Sequence, residues 1–231
     1  MNTHMPSALR RAACVFLAAL LCLSFMAPTV AEAAVTQADI DALCAFLRGL
    51  NPDDQLVVSG NLQKSPPGAF SALLSAAQEA GVSAVVDTSG AALREALAFR
   101  PLLIKPNGEE LCELFGKQAS TPEALLALAR QAQTLGARNV LVSMGADGAL
   151  LLAESGDVYR AALRSTQPVI STVGAGDSVM AGFLAGLLDT GDYSQALRLG
   201  AACGSATAYS PALANRAMLE AVLPSVEVTA L

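Results

Sequence analysis

From Val35 to the C-terminus, stretches with apolar residues at helical spacing alternate with short, almost wholly apolar runs, and no internal repeat or long linker interrupts them. Short runs of this kind are stable only when both faces are covered. A βαβα rhythm therefore predicts a mostly parallel sheet flanked by helices. The spacing predicts strands over Gln55 to Ser59, Val82 to Asp87, Leu102 to Lys105 and Asn139 to Met144. Helices are predicted over Asp39 to Leu50 (capped by Thr36 and ended by Asn51-Pro52), Phe70 to Ala80, Ala91 to Ala98 and Gly108 to Phe115. Another runs from Ala124 to Leu135, opened by Thr121-Pro122-Glu123. Beyond Asn139, the runs Ala149 to Ala153 and Val158 to Ala161, with turns at Gly145-Ala146-Asp147-Gly148 and Glu154-Ser155-Gly156, read as an antiparallel meander. Helices over Asp177 to Leu188, Tyr193 to Tyr209 and Arg216 to Val222 complete the chain. In such sheets ligands bind at the carboxyl ends of the strands, so chemistry is expected there.

Composition narrows the function classes. The chain has 231 residues, 53% of them apolar and 15% charged, enough for one large core or two small ones. A net charge of -6, with no basic stripe, excludes a general nucleic-acid surface. The one histidine, His4, lies near the N-terminus and excludes a histidine-based triad or metal centre elsewhere. Cys14, Cys22, Cys44, Cys112 and Cys203 are scattered, which fits reduced thiols better than a disulfide framework.

Residues 1-34 differ from the rest. Arg10-Arg11 precede an apolar run from Ala12 to Ala27, and Ala31-Glu32-Ala33 supplies a small-residue cleavage site. These are the parts of a secretory signal, with an apolar run short for a membrane span. The division expected is a leader over 1-34 and one domain over 35-231. Export or membrane contact through the leader, and a cytoplasmic chain whose leader is foreign to the domain, both stay open.

The residues that carry chemistry start with Ser171-Thr172-Val173-Gly174-Ala175-Gly176-Asp177-Ser178, a glycine-rich turn running into an apolar helix. Glycines let backbone N–H groups approach an anion closely, and the helix dipole favours negative charge there. Asp177 is then oddly placed unless it takes a proton from an attacking hydroxyl; the alternative is a simple helix cap. No Gly-Lys-Ser/Thr follows, so this is not a Walker A loop, and the glycine spacing does not fit Gly-x-Gly-x-x-Gly. Asn107 and Glu110, three apart at a helix start, can either hold Mg²⁺ through water or form a capping box. Ser143 to Gly148 is a second glycine turn, able to admit a nucleotide or to serve as a hairpin.

Taken in order, Val57 to Leu62, Val86 to Gly90, Lys105-Pro106-Asn107 with Glu110, Ser143 to Gly148 and Ser171 to Ser178 resemble the PfkB family of carbohydrate kinases. The likeness is to its phosphosugar branch, the 1-phosphofructokinases and tagatose-6-phosphate kinases. It implies a ribokinase-like three-layer α/β/α fold with a mostly parallel sheet. By resemblance, Asp177 is the catalytic base, and the amides of Gly174, Ala175 and Gly176 form the anion hole. Asn107 and Glu110 match the element that organises Mg²⁺ and phosphate, and Ser143, Gly145 and Gly148 match the nucleotide loop. The implied cofactors are ATP and Mg²⁺, the partners a nucleotide, a sugar phosphate and further copies of the chain. The implied reaction converts fructose 1-phosphate to fructose 1,6-bisphosphate.

The chain departs from that pattern. Asn61 and Gln63 replace a usual serine and proline, and the leader stands where the family carries its first strands, a lid, a sugar-binding Asp and a Gly-Gly-Lys-Gly-type motif. The N-terminal strands and lid are therefore expected to be missing and a sheet edge uncovered. An inactive kinase fragment that at most binds nucleotide, and an exported or membrane-tethered non-enzyme, remain alternatives.

Overall fold

The computed structural model describes the backbone of residues 15–18 and, in full, residues 35–60, 65–164 and 167–231. Asn61, Gln63, His4, Cys14, Cys22 and most of the leader lie outside the described residues. Five parallel strands form first: β1 (Val15–Ala18), β2 (Gln55–Ser59), β3 (Ser83–Asp87), β4 (Leu103–Ile104) and β5 (Asn139–Ser143). The helices between them are α1 (Gln37–Arg48), α2 (Ala69–Glu79), α3 (Gly90–Leu97), α4 (Gly108–Phe115) and α5 (Pro122–Leu135). The sheet then continues antiparallel through β6 (Ala149–Leu152), β7 (Val158–Leu163) and β8 (Val226–Ala230), its order following the chain. Between β7 and β8 come α6 (Ala175–Thr190), α7 (Tyr193–Ala208) and α8 (Arg216–Val222).

Two features depart from the sequence expectation. β8 was not anticipated, because Val-Glu-Val-Thr-Ala is short and only half-buried; its partner β7 holds it, with Leu163 opposite Val226 and Tyr159 opposite Ala230. The edge of β2 is not open either: Val15–Ala18 pairs with it in register, Val15 opposite Leu56 and Ala18 opposite Ser59. Among the described residues, no helix is long and apolar enough to cross a membrane, and Cys44, Cys112 and Cys203 are free thiols.

Strand alternation divides the core into two layers. Leu56, Val58, Val86, Ile104, Val140, Val142 and Leu150 pack under the layer of α1 to α5. Val57, Val85, Leu103, Leu141 and Leu151 face α6, α7 and α8. Each fully buried aliphatic side chain contributes about 1.5–3 kcal/mol, so a one-residue slip of any central strand would exchange layers that both need filling. The register of the strand ends is fixed by this demand.

Helices α6 and α7 meet through glycines. Gly182 and Gly186 on one helix, and Gly200 and Gly204 on the other, are each four apart and so share a face. A Cβ at Gly200 would stand 2.7 Å from the Val179 carbonyl oxygen, and one at Gly204 would stand 2.3 Å from Val179 Cγ2 and 3.1 Å from the Ala175 oxygen. The Ser178 and Thr207 hydroxyls also meet across the seam at 2.9 Å. The first turn of α6 is thereby held at a set height above the sheet.

Candidate active site

Four neighbouring strands end in polar groups. Ser59 ends β2, Asp87 ends β3, Lys105 follows β4 and Ser143 ends β5. Sheet register places Ser59 opposite Asp87, and a parallel bridge joins Asn107 to Ser143. The N-terminus of α6 comes down on these ends from the other layer. Ser59 Oγ donates to Asp177 Oδ1 at 3.0 Å, across 118 residues of chain. Lys105 Nζ lies 3.1 Å from Asp87 Oδ2, with the two side chains only 7% and 17% exposed. A Cβ on Gly176 would stand 3.2 Å from the same Nζ, so the ammonium sits against the start of α6. Ser59, Asp87, Lys105, Gly176 and Asp177 therefore form one cluster.

Burial pushes the Asp87 carboxyl above the usual aspartate range; Lys105 pulls it back, and the negative charges of Asp177 and Glu110 push it up again. Three carboxylates around one ammonium leave an excess of negative charge, which a divalent cation would relieve. Among the described residues, no group of three or more His, Cys, Asp or Glu side chains could hold a metal directly. The donor set suits Mg²⁺, which keeps several waters and takes few protein ligands.

The glycine turn presents its amides. Gly174 is the N-cap of α6, in the left-handed region at φ 75°, and a Cβ there would stand 2.7 Å from a Leu213 methyl. Ala175 N–H donates to the Thr172 carbonyl at 3.2 Å. The N–H groups of Gly174 and Gly176 make no hydrogen bond among the described residues. Leu213, against Gly174, and Val173, the residue before it, are exposed, Val173 by 72%, as are Val169 and Ile170 shortly before the turn in the chain. A turn with free amides thus has apolar side chains around it.

The capping box at α4 is made: Asn107 N–H donates to Glu110 Oε2, and Glu110 N–H donates to Asn107 Oδ1, both at 2.8 Å. This leaves Glu110 Oε1 without a hydrogen bond among the described residues, so a box and a water-mediated metal role are compatible. Asn107, Gly108, Ser143, Met144, Gly145 and Asp147 line a cavity of about 920 Å³. Gly148 is not in that lining. It closes the hairpin, its backbone at φ 89°, where a Cβ would meet the Ala161 oxygen at 2.0 Å. Asp177 and the Gly174 to Gly176 turn lie outside the cavity lining too, so the candidate site has two parts, with Lys105 of the cluster two residues before Asn107 of the cavity.

Sequence reasoning gave Ser59, Asp87 and Lys105 no role. The available signal was positional: each is a polar residue ending an apolar strand within a stretch already marked by motif.

A family model, pfkB family carbohydrate kinase, matches residues 27–218. The chain belongs to the pfkB family. Among its pfkB relatives, the 1-phosphofructokinase of Bacillus subtilis is 36% identical over 198 residues, 85% of this chain and 65% of that protein. The D-tagatose-1-phosphate kinase of Bacillus licheniformis is 31% identical over 198 residues, 84% of this chain and 64% of that protein. The crystal structure of phosphofructokinase-2 from Escherichia coli in complex with potassium superposes with a TM-score of 0.77 at 29% identity, covering 83% of this chain and 63% of that one. The fold is ribokinase-like α/β, as expected, and the chain spans less than two thirds of these relatives' lengths.

Proposed function

We propose that this pfkB-family chain transfers the γ-phosphoryl group of ATP to a hydroxyl of a ketose phosphate, with fructose 1-phosphate as first choice. The observation that carries the reading is the convergence at the start of α6 of a carboxylate, a buried ammonium and two unused glycine amides. Asp177 has one oxygen held by Ser59, leaving the other to accept the proton of the attacking hydroxyl. The amides of Gly174 and Gly176, with that of Ala175 once released from its turn, would receive the negative oxygens of the transferring group. Lys105, already desolvated and fixed by Asp87, adds positive charge beside them without a reorganisation cost. Glu110 and Asn107 would hold Mg²⁺ through water, and the bound ion would neutralise charge on the phosphates. Ser143 and Gly145 would border the nucleotide phosphates, with Gly148 fixing the hairpin behind them. The exposed apolar side chains of Val169, Ile170, Val173 and Leu213 are suited to an apolar base face.

This reading places the protein where ATP is available, in the cytoplasm. Incubation of the full chain with ATP, Mg²⁺ and a panel of ketose phosphates, followed by ³¹P NMR, is expected to show a new phosphomonoester and ADP. Nucleotide binding without transfer to any acceptor would replace the kinase with a nucleotide-binding protein.

A further inference from the structure

Two helices of this chain show what a carboxylate does at the third helical position. Asp39 of α1 folds back to accept the N–H of its N-cap, Thr36, at 2.8 Å. Glu110 of α4 accepts the N–H of its N-cap, Asn107, at 2.8 Å. This is the favoured arrangement, because it satisfies an orphan amide and complements the helix dipole. Asp177 holds the third position in α6 as well, although its N-cap, Gly174, is in the left-handed region at φ 75° where Thr36 and Asn107 are extended. It does not fold back. Its hydrogen bond is to Ser59, on another element, and the N-cap amide stays unused.

We infer that Ser59 is a positioning residue that holds the Asp177 carboxylate away from its own helix, and so keeps the glycine amides open to a phosphoryl group. This rests on the reading of α6 as the anion seat. Ser59 is well placed to oppose the pull of the helix, because its backbone lies between two strands, opposite Ala18 and Asp87. The following amide, Gly60 N–H, donates to the Asp87 carbonyl at 2.9 Å, anchoring the strand end further. Without the hydroxyl, the unused amides and the Lys105 ammonium all draw the carboxylate toward the turn. An anion would then compete with a residue of the protein itself.

The test is a double-mutant cycle on the full chain, with pyrophosphate without metal as the probe and calorimetry as the readout. Ser59→Ala is expected to weaken pyrophosphate binding by about ten- to a hundredfold, the usual range for losing a hydrogen bond to a charged group. Asp177→Ala is expected to bind at least as tightly as the unsubstituted chain. Adding Ser59→Ala to Asp177→Ala should then change nothing. Ser59→Thr, which keeps the hydroxyl, should bind normally, and Ser59→Val, its near-isostere, should reproduce the loss; this pair decides the matter if Ser59→Ala unfolds. Equal losses in both Asp177 backgrounds, no loss in either, or no pyrophosphate binding by any variant would overturn the inference. Ser59-dependent binding by a chain that phosphorylates nothing would remove the kinase reading and leave this one standing.

Discussion

Gly200→Ala adds a single methyl group where α7 meets α6, and the structure sets what it must displace. The new Cβ would lie 2.7 Å from the Val179 oxygen and 3.1 Å from both Cβ and N of Phe183, whereas ordinary contact begins at 3.4 Å. Two of the three obstructing atoms are backbone, so no rotamer change relieves them. The helices must part by about 0.7 Å, taken from those distances. Alanine gains about 1 kcal/mol over glycine in a helix interior, and overpacking a tight core costs about 1–3 kcal/mol or more. Overpacking against backbone atoms outweighs the propensity gain, for a net loss of up to about 2 kcal/mol. The functional loss should be larger than stability suggests, because Val179 follows the anion turn by one helical turn. A shift of α6 stretches the 3.0 Å contact between Ser59 and Asp177, and a misplacement near 1 Å can cost about a hundredfold in rate. Urea unfolding and pyrophosphate calorimetry on the same sample measure both effects. Gly108→Ala is the control, since its Cβ would meet Leu125 methyls at 3.6 and 3.7 Å, in ordinary contact; it should leave stability equal or raised. A Gly200→Ala chain as stable as its parent, binding anion equally well, would refute the argument that the glycine seam sets the height of the site.

Other substitutions probe the charged cluster. Lys105→Met strands the buried Asp87 carboxylate and should cost about 3 kcal/mol in chemical denaturation, with much of this recovered in Lys105→Met/Asp87→Leu; a neutral single variant would mean the pair is not desolvated. In carboxyl ¹³C NMR, Asp87 should titrate above 3.8, because burial disfavours its charged form. Since its folded pKa is raised, its favourable contribution to stability is present below pH 3.8 and is lost as pH rises through the folded value; a midpoint at or below 3.8 would contradict that sign. Glu110→Gln keeps a residue able to complete the capping box, so stability should stay within about 0.5 kcal/mol, while the Mg²⁺ concentration for half-maximal turnover should rise about tenfold. Equal Mg²⁺ dependence would leave Glu110 with its capping role alone.

The layers and most elements were legible because apolar periodicity states which face needs covering, and the caps at Thr36, Asn107 and Thr121 are local chemistry. β8 was not, since its stability comes from pairing with β7 rather than from its own pattern. The glycine seam was not read from the sequence, because nothing local says that the four-residue glycine spacings of α6 and α7 face one another. Asp177 could be singled out because a carboxylate in a glycine turn at a helix start is anomalous by itself. Ser59, Asp87 and Lys105 are ordinary residues until the sheet register brings Ser59 and Asp87 opposite one another and sets Lys105 beside them, at 28 and 18 residues' separation from Asp87. Whether Asn107 and Glu110 cap or coordinate was left open by spacing, and the structure shows that the cap leaves one carboxylate oxygen available.

The role of Asp177 is tested most directly by steady-state phosphorylation of fructose 1-phosphate with Asp177→Asn, alongside calorimetric titration of the same variant with Mg²⁺ and ATP. Loss of the base should lower kcat by about a hundred- to ten-thousandfold, while nucleotide affinity is held or improved because a negative charge has left the anion seat. Turnover within a few fold of the unsubstituted chain would show that Asp177 is not the base.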